Sequence, residues 1–332
     1  MTTLAFFNNK GGVGKTTLVY HLAWMYAELG ERVVVADLDP QANLSAMFLD
    51  EERLEQLWPD QGKRRSVYGA VQPILKGKGD IESPHLEEIS ERLSLVVGDL
   101  ALSDFEDRLS DAWPRCTDGD EAAFRATTAF YRIVKTAAAE TDASLVLLDV
   151  GPNLGAINRA ALLASEFIVA PLSPDLFSLQ GLRNLGPRLI QWRNQWKERL
   201  RQAPDENELD APRHDPMMEP LGYVVMQHGI RASEPIKAYA RWMQKIEQEY
   251  PMKVIEPKQS DDAPQGSYRI GDIKHYRSLM QLAMEARVPM FKLRPAQGAI
   301  GSHYRAVKNC HEDFRTLAQE ILKRANVHSE RA

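Results

Sequence analysis

What this 332-residue sequence lacks narrows its class first. It holds only two cysteines, Cys116 and Cys310. Two thiols so far apart make no disulfide framework and suit a reducing compartment. No apolar run approaches the ~20 residues that a membrane-crossing helix needs. The stretch from Met1 to Phe7 has no basic flank and turns polar at Asn8, which is not the build of a secretory leader. Positive charge is not in surplus either. With 41 basic and 46 acidic side chains the net charge is −5, so any nucleic-acid binding has to come from a local patch. No internal repeat of solenoid period is present. These absences lead us to expect a soluble, cytoplasmic protein with no membrane partner.

What is present is a globular composition, 44% hydrophobic and 26% charged, in a chain long enough to bury a large core. Leu4 to Phe7 reads as a buried strand, broken by Gly11, Gly12 and Gly14. A helical pattern follows from Lys15 to Leu29, with Gly30 as its stop. Arg32 to Ala36 is the next strand, apolar on both faces as a covered parallel sheet requires. The same grammar returns in strands at 143–150, 166–172 and 221–226, with helices expected at 154–165, 178–200, 233–249 and 303–325. That alternation implies an α/β fold, a doubly wound, mostly parallel sheet flanked by helices, with ligands at the carboxyl ends of the strands.

Two stretches depart from the pattern. Residues 80–121 carry thirteen acidic and three basic side chains, and Trp113-Pro114 to Asp120 reads as a loop. Residues 202–220 hold four prolines and little periodicity, so they read as an exposed connection. A single domain spanning 1–332, with an acidic elaboration and an exposed connection, is the expected organisation.

The chemistry is concentrated where the first strand meets the first helix, in Asn9-Lys10-Gly11-Gly12-Val13-Gly14-Lys15-Thr16-Thr17. Amide groups of such a turn point at phosphate oxygens, and the helix N-terminus adds the positive end of its dipole. Lys15 would reach the β- and γ-phosphates, and the Thr16 hydroxyl would ligate Mg2+. The strict pattern G-x-x-x-x-G-K-S/T fails at its first position, which is Asn9.

The run from Lys10 to Thr17, with its two lysines, resembles the deviant Walker A motif of the ParA/MinD family of P-loop ATPases. Three more segments are similar to that family. Asp37-Leu38-Asp39-Pro40-Gln41-Ala42-Asn43 resembles switch I, and Leu145 to Asp149 has the form of a Walker B strand. Ala170 to Leu182 is similar to the interface stretch that enters a long helix. The segment after Asp149 departs from the switch II pattern at Gly151 and Asn153. Together the matches span residues 3–45 and about 145–230.

The resemblance implies ATP and Mg2+ as cofactors and slow, partner-stimulated hydrolysis. It makes Lys10, Lys15 and Asp39 the catalytic set, with Lys10 reaching the nucleotide of a second subunit and Asp39 positioning the attacking water. Residues 10–17 (Lys10, Gly11, Gly12, Val13, Gly14, Lys15, Thr16, Thr17) and Pro174 would hold the nucleotide. Thr16, with Asp39 and Asp149 acting through water, would hold the metal, and Asp37 would lie in its outer shell. An ATP-dependent homodimer and a protein that stimulates hydrolysis are the expected partners.

Within the family, neither cysteine is placed to hold an iron–sulfur cluster. The apolar stripe Phe314, Leu317, Ala318, Ile321 and Leu322 reads as a helix docked on its own core rather than on a membrane. The sheet starts at residue 3, so operator recognition through a preceding helix-turn-helix domain is not expected. Non-specific duplex DNA is the remaining candidate partner, with nucleoid association as its consequence. Residues 183–201 hold six basic side chains against one acidic, and residues 269–308 hold eight against two. Arg269, Lys274 and Arg277 are the candidate contacts; a solvated helix face is the plain alternative. Trp192 and Trp196 read as packing. The expected job is segregation of DNA or positioning of cargo, the alternative a regulatory ATPase in a defence or secretion system without DNA.

Overall fold

A computed structural model describes residues 1–205, 209–226, 236–255 and 267–326. Among them, eight strands form one sheet in the order β3-β4-β2-β5-β1-β6-β7-β8. In chain order the sheet and its first covering helices are β1 (Thr2–Phe6), α1 (Lys15–Glu28), β2 (Val33–Asp37), α2 (Asn43–Phe48), α3 (Glu51–Leu57), α4 (Val67–Leu75), β3 (Leu86–Ser90) and β4 (Leu93–Val96). The middle of the chain supplies α5 (Phe105–Arg115), α6 (Glu121–Thr127), α7 (Ala129–Thr141), β5 (Leu145–Asp149), α8 (Ala156–Leu163), β6 (Phe167–Leu172) and α9 (Leu176–Leu200). The last part adds β7 (Glu219–Met226), α10 (Ile236–Lys253), β8 (Arg269–Ile273), α11 (Arg277–Ala286) and α12 (Ser302–Arg324). Every strand pair is parallel except β3 with β4. This is the doubly wound sheet the apolar strands imply.

The strands are apolar on both faces because both faces are covered. Leu4, Phe6, Val33, Val35, Leu145 and Leu147 pack toward α1, α11 and α12. Their neighbours Ala5, Phe7, Val34, Ala36, Val146 and Leu148 pack toward α4, α5, α7 and α8. At ~25 cal/mol per Å2 of buried apolar area, this alternation is the main favourable term in folding. The stripe of α12 is part of that core, with Phe314, Leu317, Ala318 and Ile321 buried against the sheet. Both cysteines are free and buried. No described helix is long and apolar enough to cross a membrane.

Two expectations are corrected. The acidic stretch 80–121 supplies β3, β4 and α5, and buries Leu93, Leu95, Val96, Phe105 and Leu109. The expected loop from Trp113 is helical through Arg115 and continues as a 3-10 turn over Cys116–Asp118. Trp113 is buried there, stacked on Trp196 with ring centroids 5.9 Å apart. That long-range stacking outweighs the local signal of Pro114, which sits in the last helical turn. Among its described residues the 202–220 connection is only partly exposed, since Leu209, Ala211, Met217 and Met218 pack into the core while Asp205, Asp210 and Arg213 face solvent. The expected helix at 233–249 is found as α10 from Ile236; residues 233–235 lie outside the described residues.

Candidate nucleotide site

The carboxyl ends of β1, β2 and β5 converge, and register makes them converge on charge. Asp37 and Asp149 are paired neighbours on adjacent parallel strands. Both are fully buried, and Asp39 is 6% exposed. The glycine-rich turn leaves β1 beside them and enters α1 through Gly14, whose φ of 85° is a left-handed conformation that a side chain would strain. Lys15 is therefore the first residue of the helix, and its Nζ donates to Asp149 Oδ1 at 3.0 Å. Lys15 is 7% exposed, so the pair is desolvated and neither partner is readily lost alone.

Two carboxylate oxygens in this cluster are left without a hydrogen bond, Asp37 Oδ1 and Asp149 Oδ2. Buried, unpartnered carboxylate oxygens are costly unless a cation or donor is supplied. The other oxygen of Asp37 accepts from Ser45, both from the backbone N–H and from the hydroxyl, at 2.8 Å each. Burial pushes the Asp37 carboxyl up to about 7, and the nearby Asp149 adds to the rise while Ser45 opposes it. Three clustered carboxyls thus face one lysine, an arrangement whose ionised form a divalent cation would stabilise. The described carboxylates do not close a coordination shell by themselves. The Thr16 hydroxyl, phosphate oxygens and water would complete one, which is the donor set a Mg2+ ion takes.

A cleft of about 520 Å3 opens over these groups, walled by Lys10, Gly12, Lys15, Thr16, Asp39 and Pro152 among others. Gly11, Val13, Gly14 and Thr17 also line it. Behind the turn lies a second cavity of about 290 Å3, where Gly12, Gly14 and Thr17 meet Met226 at the end of β7 and Ile273 and Tyr276 at the end of β8. Pro174 is not in the wall of either cavity; it is half-buried in the turn before α9.

Lys10 is held within its own subunit. Its Nζ donates to Asp175 Oδ2 and stands 5.8 Å from the ring centroid of Phe177. Asp175 also caps α9, its Oδ1 accepting from the Ser178 N–H at 2.8 Å. The helix therefore begins at Leu176, capped by Asp175 and not by Ser178, whose hydroxyl instead accepts from the Ser173 N–H. Leu176 and Phe177 are exposed beside this pair.

The basic segments are largely engaged. Arg269 pairs with Asp272 and Glu247, and Lys274 with Asp313 at 3.3 Å. Lys274 lines the cavity behind the phosphate turn. The side chain of Arg277 lies outside the described residues. Arg183 makes a bidentate pair with Glu249, at 2.6 Å for each bond. Arg199 donates to Trp113 O and stacks on that ring, and Arg193 is buried. Trp192 and Trp196 are core residues, as their surroundings in sequence suggest.

Three residues of the site escaped sequence reasoning. Asp175 had a local signal, the Asp-x-x-Ser cap. Asn158 braces the segment after β5: its Oδ1 accepts from the Gly151 N–H at 3.1 Å, and its Nδ2 donates to Gly151 O and Asn153 O. Glu106 binds the start of α8 from 50 residues away. Neither has a spacing that marks it.

Comparisons with known proteins support the fold. A family model described as an AAA domain matches residues 1–202. Among curated relatives, an uncharacterized protein of Methanocaldococcus jannaschii is 30% identical over 187 residues, covering 55% of this chain and 63% of that protein. The chromosome partitioning protein ParA of Caulobacter vibrioides is 29% identical, covering 56% and 61%. The chain spans about two-fifths to three-fifths of the length of the curated relatives it matches. Among solved structures, a Corynebacterium diphtheriae protein superposes with a TM-score of 0.73 at 23% identity, covering 98% of each chain. An ATP complex of McdA from Cyanothece superposes with a TM-score of 0.63 at 14% identity, covering 100% and 99%. A matched domain covering more than half of the chain shows that the chain belongs to the AAA-domain family, and its sequence and eight-stranded fold are similar to those of ParA-type proteins.

Proposed function

We propose that the chain binds Mg·ATP in the cleft, closes into a homodimer when ATP is bound, and resets by hydrolysing ATP to ADP and phosphate. The cellular job we assign is segregation of DNA or positioning of another cargo. One observation carries the reading: a buried Lys15–Asp149 pair beside two orphaned carboxylate oxygens, at the mouth of a glycine turn. That arrangement suits an exchange. Lys15 leaves Asp149 for phosphate oxygens, and the Thr16 hydroxyl, with Asp149 and Asp39 acting through water and Asp37 in the outer shell, would hold Mg2+. When bound, Mg2+ would neutralise phosphate charge in a step that is otherwise mostly positioning. Asp39 orients the attacking water, the turn amides hold the phosphates, and the cavity between Met226 and Tyr276 takes the base. Lys10 exchanges Asp175 for the nucleotide of a second subunit. A protein that stimulates hydrolysis completes the cycle.

A second reading, a regulatory switch in another system without DNA, is favoured by a separate observation. Arg269, Lys274, Arg183 and Arg199 already have partners within the chain, which leaves less charge for phosphates. Calorimetry with Mg·ATP, light scattering with and without ATP, and DNA binding at low salt test both. ATP binding with dimerisation and salt-sensitive DNA binding supports the first reading; a dimer that ignores DNA supports the second. Absence of ATP binding overturns both.

A further inference from the structure

The helix after the Walker B strand has no cap of its own. Position Gly155 precedes α8 and offers no side chain, so the first amides of the helix need a partner from elsewhere. Glu106, in the first turn of α5, supplies it. Its Oε1 accepts from the Ala156 N–H at 2.6 Å and its Oε2 from the Ile157 N–H at 2.8 Å. Charge-assisted bonds of this kind at a helix N-terminus are among the stronger ones in a protein. The approach depends on Gly155, because a Cβ there would stand 2.7 Å from Glu106 Oε1. The same two helices are joined again one turn on: Arg159 of α8 donates to Leu109 O of α5 and lies 4.3 Å from the Trp113 ring centroid.

From the clamped end of α8 the contacts run on to the reacting centre. Asn158, in the first turn of α8, grips Gly151 by both its N–H and its C=O. Gly151 in turn passes close to Asp39, since a Cβ built on it would lie 3.3 Å from Asp39 Oδ1. The segment between Asp149 and α8 is thus suspended from two side chains, and one of them belongs to the acidic stretch 80–121. We propose that Glu106 is a positioning residue for ATP hydrolysis: by clamping the start of α8 it fixes, through Asn158 and Gly151, where Asp39 stands over the cleft. The inference rests on the hydrolysis reading. It gives the acidic stretch a task in the reaction, although none of its residues lines the cleft.

The test separates positioning from binding. Glu106→Ala and Gly155→Ala break the same clamp from its two sides, and Glu106→Gln keeps its shape with one acceptor oxygen. ATP affinity by calorimetry and kcat by phosphate release are measured for each, at a temperature where circular dichroism shows the folded state. We expect Glu106→Ala and Gly155→Ala each to change kcat about tenfold, with ATP affinity within about twofold of the parent. Glu106→Gln should fall between, and the double variant Glu106→Ala/Gly155→Ala should be no worse than either alone. Unchanged kcat in both single variants overturns the proposal. So does a parallel loss of affinity and kcat, or full additivity in the double variant. A parent that binds ATP but never hydrolyses it overturns the hydrolysis reading as well, which distinguishes the two failures.

Discussion

Two regions of this molecule are rich in cations, and they behave oppositely. At the phosphate turn, Lys15 is buried on Asp149 with unpartnered carboxylate oxygens beside it, so the pairing is incomplete and ready to be exchanged. In the segments 183–201 and 269–308 several arginines are already paired within the chain, Arg183 on Glu249, Arg269 on Asp272 and Arg199 on Trp113 O. A cation signals a ligand when its neighbours leave charge unbalanced, and signals architecture when they do not. Counting basic residues cannot separate the two cases.

The sharpest way to break this contrast is Lys15→Ala. It removes a charged contact worth about 2–3 kcal/mol, so ATP affinity by calorimetry should fall at least ~30-fold. Wild-type affinity in the variant would mean that the turn is only a connection. Next is Asp39→Ala, which should leave ATP binding intact while slowing phosphate release ~100-fold and prolonging the ATP-bound dimer in light scattering. Lys10→Ala should keep ATP binding and lose ATP-dependent dimerisation. Dimerisation equal to the parent's would confine Lys10 to its contact with Asp175.

A smaller effect probes the packing under the turn. His21 is fully buried, its ring held between Thr17 O at 2.7 Å and the Met290 N–H at 3.1 Å, and burial lowers it to about 4. The native state therefore holds the neutral ring while the unfolded chain binds a proton below about 6.5. Between those values the unfolded state binds more protons, so stability falls as pH drops from about 6.5 toward 4. His21→Gln should be less stable at pH 7 but lose less on acidification. Urea melts at the two pH values decide; an equal loss in both would clear His21 of the effect.

The smallest effect is expected in the basic segment where Arg269 and Lys274 already have partners. Replacing Arg269, Lys274 and Arg277 together with alanine should weaken DNA binding uniformly across sequences and make its log–log salt slope shallower by ~0.9 for each phosphate no longer neutralised. ATP-dependent dimerisation should survive. A slope equal to the parent's would remove these three residues from any DNA surface.

Much of this fold was legible because its signals are local. Apolar strands followed by helices located β1, β2, β5, β6 and β7 within a few residues, and the glycine turn with its lysines marked the cleft. What was misread was decided at long range. Trp113-Pro114 reads as a loop until Trp196 arrives from 83 positions away to stack on Trp113. The 202–220 connection reads as exposed until Leu209 and Met218 find the core.

By itself, then, the sequence determined the parallel sheet, the phosphate turn and the three aspartates at strand ends, because each depends on neighbours a few residues apart. Only the tertiary structure decided what each charge faces. Register set Asp37 beside Asp149; helix packing gave Glu106 to α8 and Asp175 to Lys10. An ion pair or a borrowed helix cap is a matter of a few ångströms in space, and no spacing along the chain encodes it.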